Sequence, residues 1–500
     1  MPFKSQWDNI GIEMKVNLDR LATYLGPWAA GEGPLYERLA NAIEGAMDRG
    51  ELAAGTMLPT ERDLAGRLAV SRTTVVSAYG ELKEAGRLES RQGRGTWVAG
   101  PPAARPPSER PFSAELYGGI LGTQPGIIEL TAACPPAPPL IAEVMAQVSP
   151  EELARDVTGA GTGYLPAGLP DLRERIAEHV SRGGLPTRPD EILVTTGAQQ
   201  AIGLAAMLLG GEGQSALVEE VTYPGALDVI RGLGMRPVGV ALDAEGVVPE
   251  ALEDLLERVR PAFVYLVPAF QNPTGSVLSA ARSRRVAELS ARYRVPLVED
   301  LALRNLPLDD GPLPAPIAAH AADGSSMVIG SVSKVLWAGL RVGWIRAARP
   351  VVERLMRLKI GADMGSPLPS QRLTCSLLPR MAEAEEARRA FLIHGYDALS
   401  AALGEHLPDW TWDPPRGGCT LWVRIPGGDA RAFGQVAQRC GVNVVPGQVL
   451  SAEGRHGDRL RLPFVHPPEV IAEAVRRLAV AWELYAGTGS RPQEPVSLIV

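Results

Sequence analysis

The sequence predicts a multidomain chain: a small helical unit closed by a β-hairpin, then a larger α/β unit, then a small α+β unit. Three observations predict it. The 500 residues exceed what one ordinary core holds. Five prolines crowd the twelve residues GPPAARPPSERP at 100–111, a semi-rigid spacer between blocks of different pattern. Beyond it, short β-rich runs alternate with helical stretches, the pattern of a largely parallel sheet covered on both faces.

Before the spacer, Leu35, Leu39, Ile43 and Met47 form one helical stripe that ends at Gly50. Thr60 and Asp63 form a capping-box variant that opens a short helix, Glu61–Leu68. Ser71 caps a third helix, with Val75, Ala78, Tyr79 and Leu82 on its inner side. Two extended runs around Gly93 and Gly95 then read as a hairpin-like wing. A short helix, the turn Ala69-Val70 and a second helix make a helix-turn-helix. The expected divisions are an N-terminal extension (1–30), this unit (31–99), the spacer (100–112), the large α/β unit (113–385), the small C-terminal unit (386–487) and a tail (488–500). Leu18, Leu21 and Leu25 suggest a short amphipathic helix in the extension, with no role assigned.

After the spacer, strands are expected at 192–196, 215–220, 262–268, 295–300 and 326–331, with a further strand-like LWVRI in the small unit.

Composition narrows the function classes. With 45% hydrophobic and 21% charged residues, the chain has a globular make-up. No apolar run approaches the roughly 20 residues of a membrane span, and the N-terminus lacks the apolar core of a secretory leader. A cytoplasmic protein without a membrane partner is expected. Cys134, Cys375, Cys419 and Cys440 show no CxxC spacing and read as buried thiols of a reducing compartment; no metal centre is expected. The net charge is −7, yet residues 71–98 carry Arg72, Lys83, Arg87, Arg91 and Arg94 against Glu81, Glu84 and Glu89.

That basic excess falls where a helix-turn-helix meets double-stranded DNA. Ser71, Arg72, Thr73 and Thr74 stand at the start of the second helix, the end that enters the major groove. Arg72 suits guanine O6 and N7, while hydroxyls and helix-start N–H groups suit phosphates. Arg62 on the preceding helix, with Gln92, Gly93 and Arg94 in the wing, would add backbone or minor-groove contacts. On spacing alone, a three-helix protein-binding module with a solvated basic face remains the alternative. The stretch PLYERLANAIEGAMDRGELAAGTMLPTERDLAGRLAVSRTTVVSAYGELKEAGRLESRQGRGTWV, however, resembles a GntR-type winged helix over its whole length. The resemblance implies Arg62, Arg72, Thr73 and Thr74 as DNA contacts and Gly93 at the wing tip. Val76 stands where some relatives place a second arginine, so base readout differs there.

The second block carries five chemical pieces, each after a strand. Gly197, Ala198, Gln199 and Gln200 open an apolar helix, an anion site built from backbone N–H groups. Tyr223 follows another strand in VTYPG. Asn272 lies in QNPTG after AFVYLVP, and Asp300 ends VPLVED. Ser331, Ser333 and Lys334 follow SMVIG, with Arg341 just beyond. Singly these are a helix start, a turn, a helix cap and a surface lysine. Together they supply what pyridoxal 5′-phosphate (PLP) requires: an amine to join its aldehyde, a carboxylate to keep the ring nitrogen protonated, a phosphate nest and flat packing on the ring.

GYLPAGLPDLRERIAEHV, TTGAQQA, QNPTG, VED, SVSK and LRVGW, in this order, resemble a fold-type I PLP aminotransferase from about residue 113 to 485. The resemblance implies Lys334 as the aldehyde-linked lysine, Asp300 at the pyridine nitrogen, Asn272 at the ring hydroxyl and Tyr223 stacked on the ring. It implies Ala198, Gln199, Ser331, Ser333 and Arg341 around the phosphate. Arg461, in RLRLPF, matches the arginine that pairs with a substrate carboxylate; a surface salt bridge is its plainer reading. Relatives usually carry a tyrosine two positions after the aspartate, whereas here the sequence is Asp300-Leu301-Ala302, which weakens control of the lysine link and counts against efficient transamination.

The two halves joined by a proline-rich spacer resemble the MocR/GabR regulators. That implies a homodimeric, PLP-dependent transcription regulator whose partners are operator DNA and a small amine or amino-acid effector. A working aminotransferase with a DNA-binding appendage is the competing expectation, and a cofactor-free dimerisation domain is a third.

Overall fold

The computed structural model describes residues 16–30, 33–53, 55–91, 95–99, 126–159, 161–321 and 325–487. The chain divides into two compact units. One draws on Met1–Thr131, Gly427–Val445 and Arg476–Val500, the other on Ala132–Pro426 and Pro446–Val475. The spacer at 100–112, the tail at 488–500 and the wing residues Gln92, Gly93 and Arg94 lie outside the described residues.

In the first unit the expected helices form at Leu35–Asp48, Glu61–Leu68 and Arg72–Glu84. The side-chain oxygens of Thr60 and Ser71 accept from the backbone N–H of Asp63 and Thr74, at 3.2 and 3.1 Å. These caps satisfy donors that the first helical turn leaves unpaired. Ala69 turns the chain in the left-handed region (φ 52°), so the helix stops there and the next can start. Strands Leu88–Arg91 and Gly95–Val98 pair antiparallel, and Met57–Leu58 adds a third strand on the outer side. The N-terminal extension does have a structural role. Its helix Leu18–Leu25 puts Leu21 and Leu25 into the same core as Leu39, Ile43, Leu64, Val75 and Tyr79. Each such leucine stabilises the unit by roughly 1.5–3 kcal/mol.

The second unit is built on a seven-stranded sheet in the spatial order Ile192–Thr195, Gly343–Arg346, Ser326–Ser331, Leu297–Asp300, Phe263–Leu266, Ser215–Glu219, Arg236–Val240. All neighbours pair parallel except Gly343–Arg346, which runs antiparallel to both of its own. Ile192–Thr195, Phe263–Leu266 and Leu297–Asp300 are buried along their length, and Ser326–Ser331 is buried except at Ser331, as strands covered on both faces must be. All five expected strands form. Ile192–Thr195, Phe263–Leu266, Leu297–Asp300 and Ser326–Ser331 share one direction, so their C-terminal ends lie along one edge. Ligands of open α/β sheets bind at that edge. In the small C-terminal portion, Thr420–Arg424 pairs antiparallel with Arg459–Pro463, placing Trp422 opposite Arg461.

Candidate functional site

Lys334 sits in the turn after Ser326–Ser331. Its Nζ donates to the Ala133 carbonyl at 2.7 Å and lies 3.5 Å from Cys134 Sγ. Burial pulls the lysine pKa down, while the acidic side chains of Cys134, Cys419 and Tyr223 pull it up; the balance lies above the ordinary value. Asp300, at the end of its strand, is buried. Its Oδ2 accepts from the Tyr265 hydroxyl at 2.7 Å and its Oδ1 from the Ala302 N–H at 2.9 Å. Burial raises the Asp300 pKa, partly offset by those two hydrogen bonds and by Lys334. A cation placed against this carboxylate would relieve the same desolvation penalty.

Tyr223 precedes helix Pro224–Gly232. Burial raises its pKa, and its phenol also feels Lys334, Asp300, Cys134 and Arg461, so these groups line one region. Arg461 is buried on its strand, at 3% exposure. Asn272 Oδ1 and Gln199 Oε1 are buried without a hydrogen-bond partner among the described residues. The other end of the Gln199 amide donates to the Gly225 carbonyl at 3.0 Å. A Cβ at Gly225 would meet Gln199 Oε1 at 2.4 Å and the Tyr223 ring at 2.6 Å, so only glycine permits this approach.

The residues expected around an anion also have defined positions. Gly197 (φ 79°) precedes helix Ala198–Leu209 without a side-chain cap, leaving the first helical N–H groups for a ligand. Arg341 Nη2 donates to the Thr196 carbonyl at 2.8 Å. The hydroxyls of Ser331 and Ser333 are 2.9 Å apart. Thus the structure brings Ala198, Gln199, Ser331, Ser333 and Arg341 to the sheet edge that carries Tyr223, Asn272, Asp300 and Lys334.

Sequence reasoning missed four participants. Tyr265 bonds Asp300 from the neighbouring strand, a pairing visible only once the strands align. Cys134 is exposed beside Lys334, and Cys440 is only partly buried, so two of the four thiols depart from the expected burial. Lys359 is fully buried and bonds Asp363 at 2.7 Å and Gln200 Oε1 at 3.2 Å, bracing the turn at 196–200. Glu219 accepts from Gln271 Nε2 at 3.2 Å, beside Asn272, and burial lifts its pKa to about 7.

In the first unit, Arg62, Ser71, Arg72 and Thr73 are exposed and Thr74 is half-buried. Ser71 Oγ lies 2.8 Å from the Thr73 and Thr74 hydroxyls. Val76 is 46% exposed on the same helix.

An α/β unit with a PLP-type edge and a helix-turn-helix unit define a fusion of two known classes. The model for class I and II aminotransferases matches residues 138–478, and that for bacterial regulatory proteins of the gntR family matches 35–98. The chain belongs to the class I and II aminotransferase family and carries a gntR-type DNA-binding domain ahead of it, a fusion of the MocR type. It is 30% identical to the uncharacterized HTH-type transcriptional regulator YisV of Bacillus subtilis, over 90% of this chain and 97% of that protein. It is 33% identical to 2-aminoadipate transaminase of Thermus thermophilus, over 72% of this chain and 91% of the other. The crystal structure of LysN, the α-aminoadipate aminotransferase of that organism complexed with N-(5′-phosphopyridoxyl)-L-leucine, superposes with a TM-score of 0.67 at 30% identity. That match covers 82% of this chain and 99% of LysN. Among the described residues no helix is long and apolar enough to cross a membrane.

Proposed function

We propose that the chain is a cytoplasmic, homodimeric transcription regulator that binds operator DNA and senses PLP or its adduct with an amine or amino acid. The observation that carries this reading is the grouping of partly buried Lys334 and Tyr223 with buried Asp300 and Arg461, in a chain whose other unit exposes Arg72 at a helix start.

The residues fit PLP. Among the described residues, Asn272 and Gln199 each hold a buried amide oxygen without a partner, and Gly225 lets the Gln199 amide and the Tyr223 ring come close together. Bound PLP would supply an aldehyde that joins amines reversibly and a ring that withdraws electrons. Lys334 Nζ would hold the aldehyde end. Asp300, braced by Tyr265, would keep a proton on the ring nitrogen. Ser331, Ser333, Arg341 and the N–H groups of Ala198 and Gln199 would hold the phosphate, and Tyr223 would cover the ring. Arg461 would pair with an effector carboxylate. On the DNA side we assign Arg62, Ser71, Arg72, Thr73 and Thr74 in domain 31–99, together with Gln92, Gly93 and Arg94. Large apolar side chains exposed at Tyr164, Ile360 and Met364 support a second copy covering this unit.

A ligand shifts the DNA-bound state only if it favours one arrangement of the paired winged helices. The test is operator binding and footprinting with PLP-loaded and stripped protein, with and without candidate amines. A ligand-dependent change is expected, and identical affinity and footprint throughout would defeat the sensory reading. The resemblance to 2-aminoadipate transaminase favours a second reading, a working aminotransferase. Keto-acid release from a panel of amino acids would decide for it; a lasting spectral change without release decides for the sensor.

A further inference from the structure

We propose that helix Ala430–Arg439 is a docking surface for the winged helix of its own chain, a charged latch that sets how the DNA-reading helices are held. The inference rests on the regulatory reading above and names a contact that holds the DNA-reading helices in place.

The latch has two parts, both within the first unit. Arg439 Nη2 donates to the Ala69 carbonyl at 3.0 Å, and Nη1 to the Leu68 carbonyl at 3.4 Å. These are end carbonyls of helix Glu61–Leu68, which no helical N–H reaches, and a cation is favoured at that negative pole. They also form the turn that aims the recognition helix. Arg67 supplies the other part. Its Nε reaches Asp19 at 2.7 Å and its Nη1 reaches Asp429 at 3.4 Å, while Arg431 lies 3.6 Å from the same Asp19 oxygen. Asp429 is itself fixed, accepting from the N–H groups of Arg431 and Ala432 at 2.9 and 3.2 Å. Its own N–H donates to the Tyr485 hydroxyl at 3.0 Å.

The two arginines of the first helix-turn-helix helix are divided between two tasks. At about 100° per residue, Arg62 and Arg67 point about 140° apart. Arg62 is exposed, whereas the Arg67 side chain is only 10% exposed. Without the segment that carries Asp429, Arg67 would keep its Asp19 pair but lose its second carboxylate. Docking also leaves Ser71, Arg72 and Thr73 exposed, so the latch holds the reading head without covering it. Its expected effect is pre-orientation: two latched winged helices meet two half-sites at high effective concentration, and released ones do not.

The test uses the full-length, cofactor-loaded protein with Arg439→Ala and Arg67→Gln. Arg424→Gln, which breaks an ion pair with Asp458 outside the latch, serves as control. The DNA probes are a duplex selected by the wild type from a random pool and the same duplex with one half scrambled. In both latch variants, amides at 61–70 should exchange hydrogen about tenfold faster. Affinity for the intact duplex should fall about tenfold and for the half-scrambled duplex by less than about twofold. Arg67→Lys, which keeps a charge toward Asp19, should recover much of the protection. Wild-type exchange rates in both variants, or equal weakening on both duplexes, overturns the latch. If wild-type binding ignores PLP, the sensory reading fails, while exchange rates and the half-site comparison still judge the latch.

Discussion

Tyr265→Phe deletes one oxygen, the hydroxyl that donates to Asp300 Oδ2 at 2.7 Å. Both residues are buried, so no water replaces it without rearrangement. A hydrogen bond to a charged group contributes about 1.5–3 kcal/mol net. Its loss destabilises the Asp300 carboxylate and therefore the protonated ring nitrogen it would hold. The bond is present with or without PLP, so only the part gained against a protonated ring nitrogen is lost; at about 1.4 kcal/mol per factor of ten, PLP should bind up to about 10-fold more weakly. The assay is a spectrophotometric titration of stripped protein with PLP and with a phosphorylated analogue carrying carbon in place of the ring nitrogen. The analogue cannot use the Asp300 charge, so its affinity should change by less than about threefold. Equal weakening of both ligands would mean that Tyr265 merely packs the site, and no weakening of PLP would refute the role given to Asp300.

Gly197→Ala places a Cβ at φ 79° and ψ 174°, a region almost restricted to glycine, 3.0 Å from Arg341 Nη2. It should weaken PLP more than unphosphorylated pyridoxal; equal weakening would argue against a phosphate nest. Arg72→Ala should cost about 1–3 kcal/mol on the selected operator with little change on random duplex; equal loss on both would make Arg72 a phosphate contact. Glu219, lifted to about 7 by burial, binds its proton more tightly folded than unfolded. Its contribution is complete below the ordinary glutamate value and is lost as pH rises through about 7, about 3 kcal/mol in all. Glu219→Gln should therefore narrow the difference in thermal stability between pH 5 and pH 8, and parallel melting profiles would contradict this.

Much of the fold was legible because the parallel strands are short, mostly apolar and bounded by turn residues. The runs at 192–196, 262–268 and 326–331 had no other reading in an alternating chain. Gly343–Arg346 escaped, because four residues including a glycine and an arginine carry little strand signal. It enters the sheet through its partners instead, antiparallel to both. The candidate site was legible wherever a residue follows a strand in a recognisable string, as Lys334 does in SVSK. It was not legible where partners meet across strands, as Tyr265 and Asp300 do, or across hundreds of residues, as Arg67 and Asp429 do. Caps follow local rules, so Thr60 and Ser71 were readable. The core role of Leu21 and Leu25 depends on what they pack against, which periodicity alone does not disclose.

The most direct test of the account is to treat purified, PLP-loaded protein with borohydride and weigh its peptides. The expected result is a phosphopyridoxyl increment on the peptide containing Lys334, absent from Lys334→Ala. An unmodified Lys334 peptide from protein that has been saturated with PLP would contradict the account at its centre.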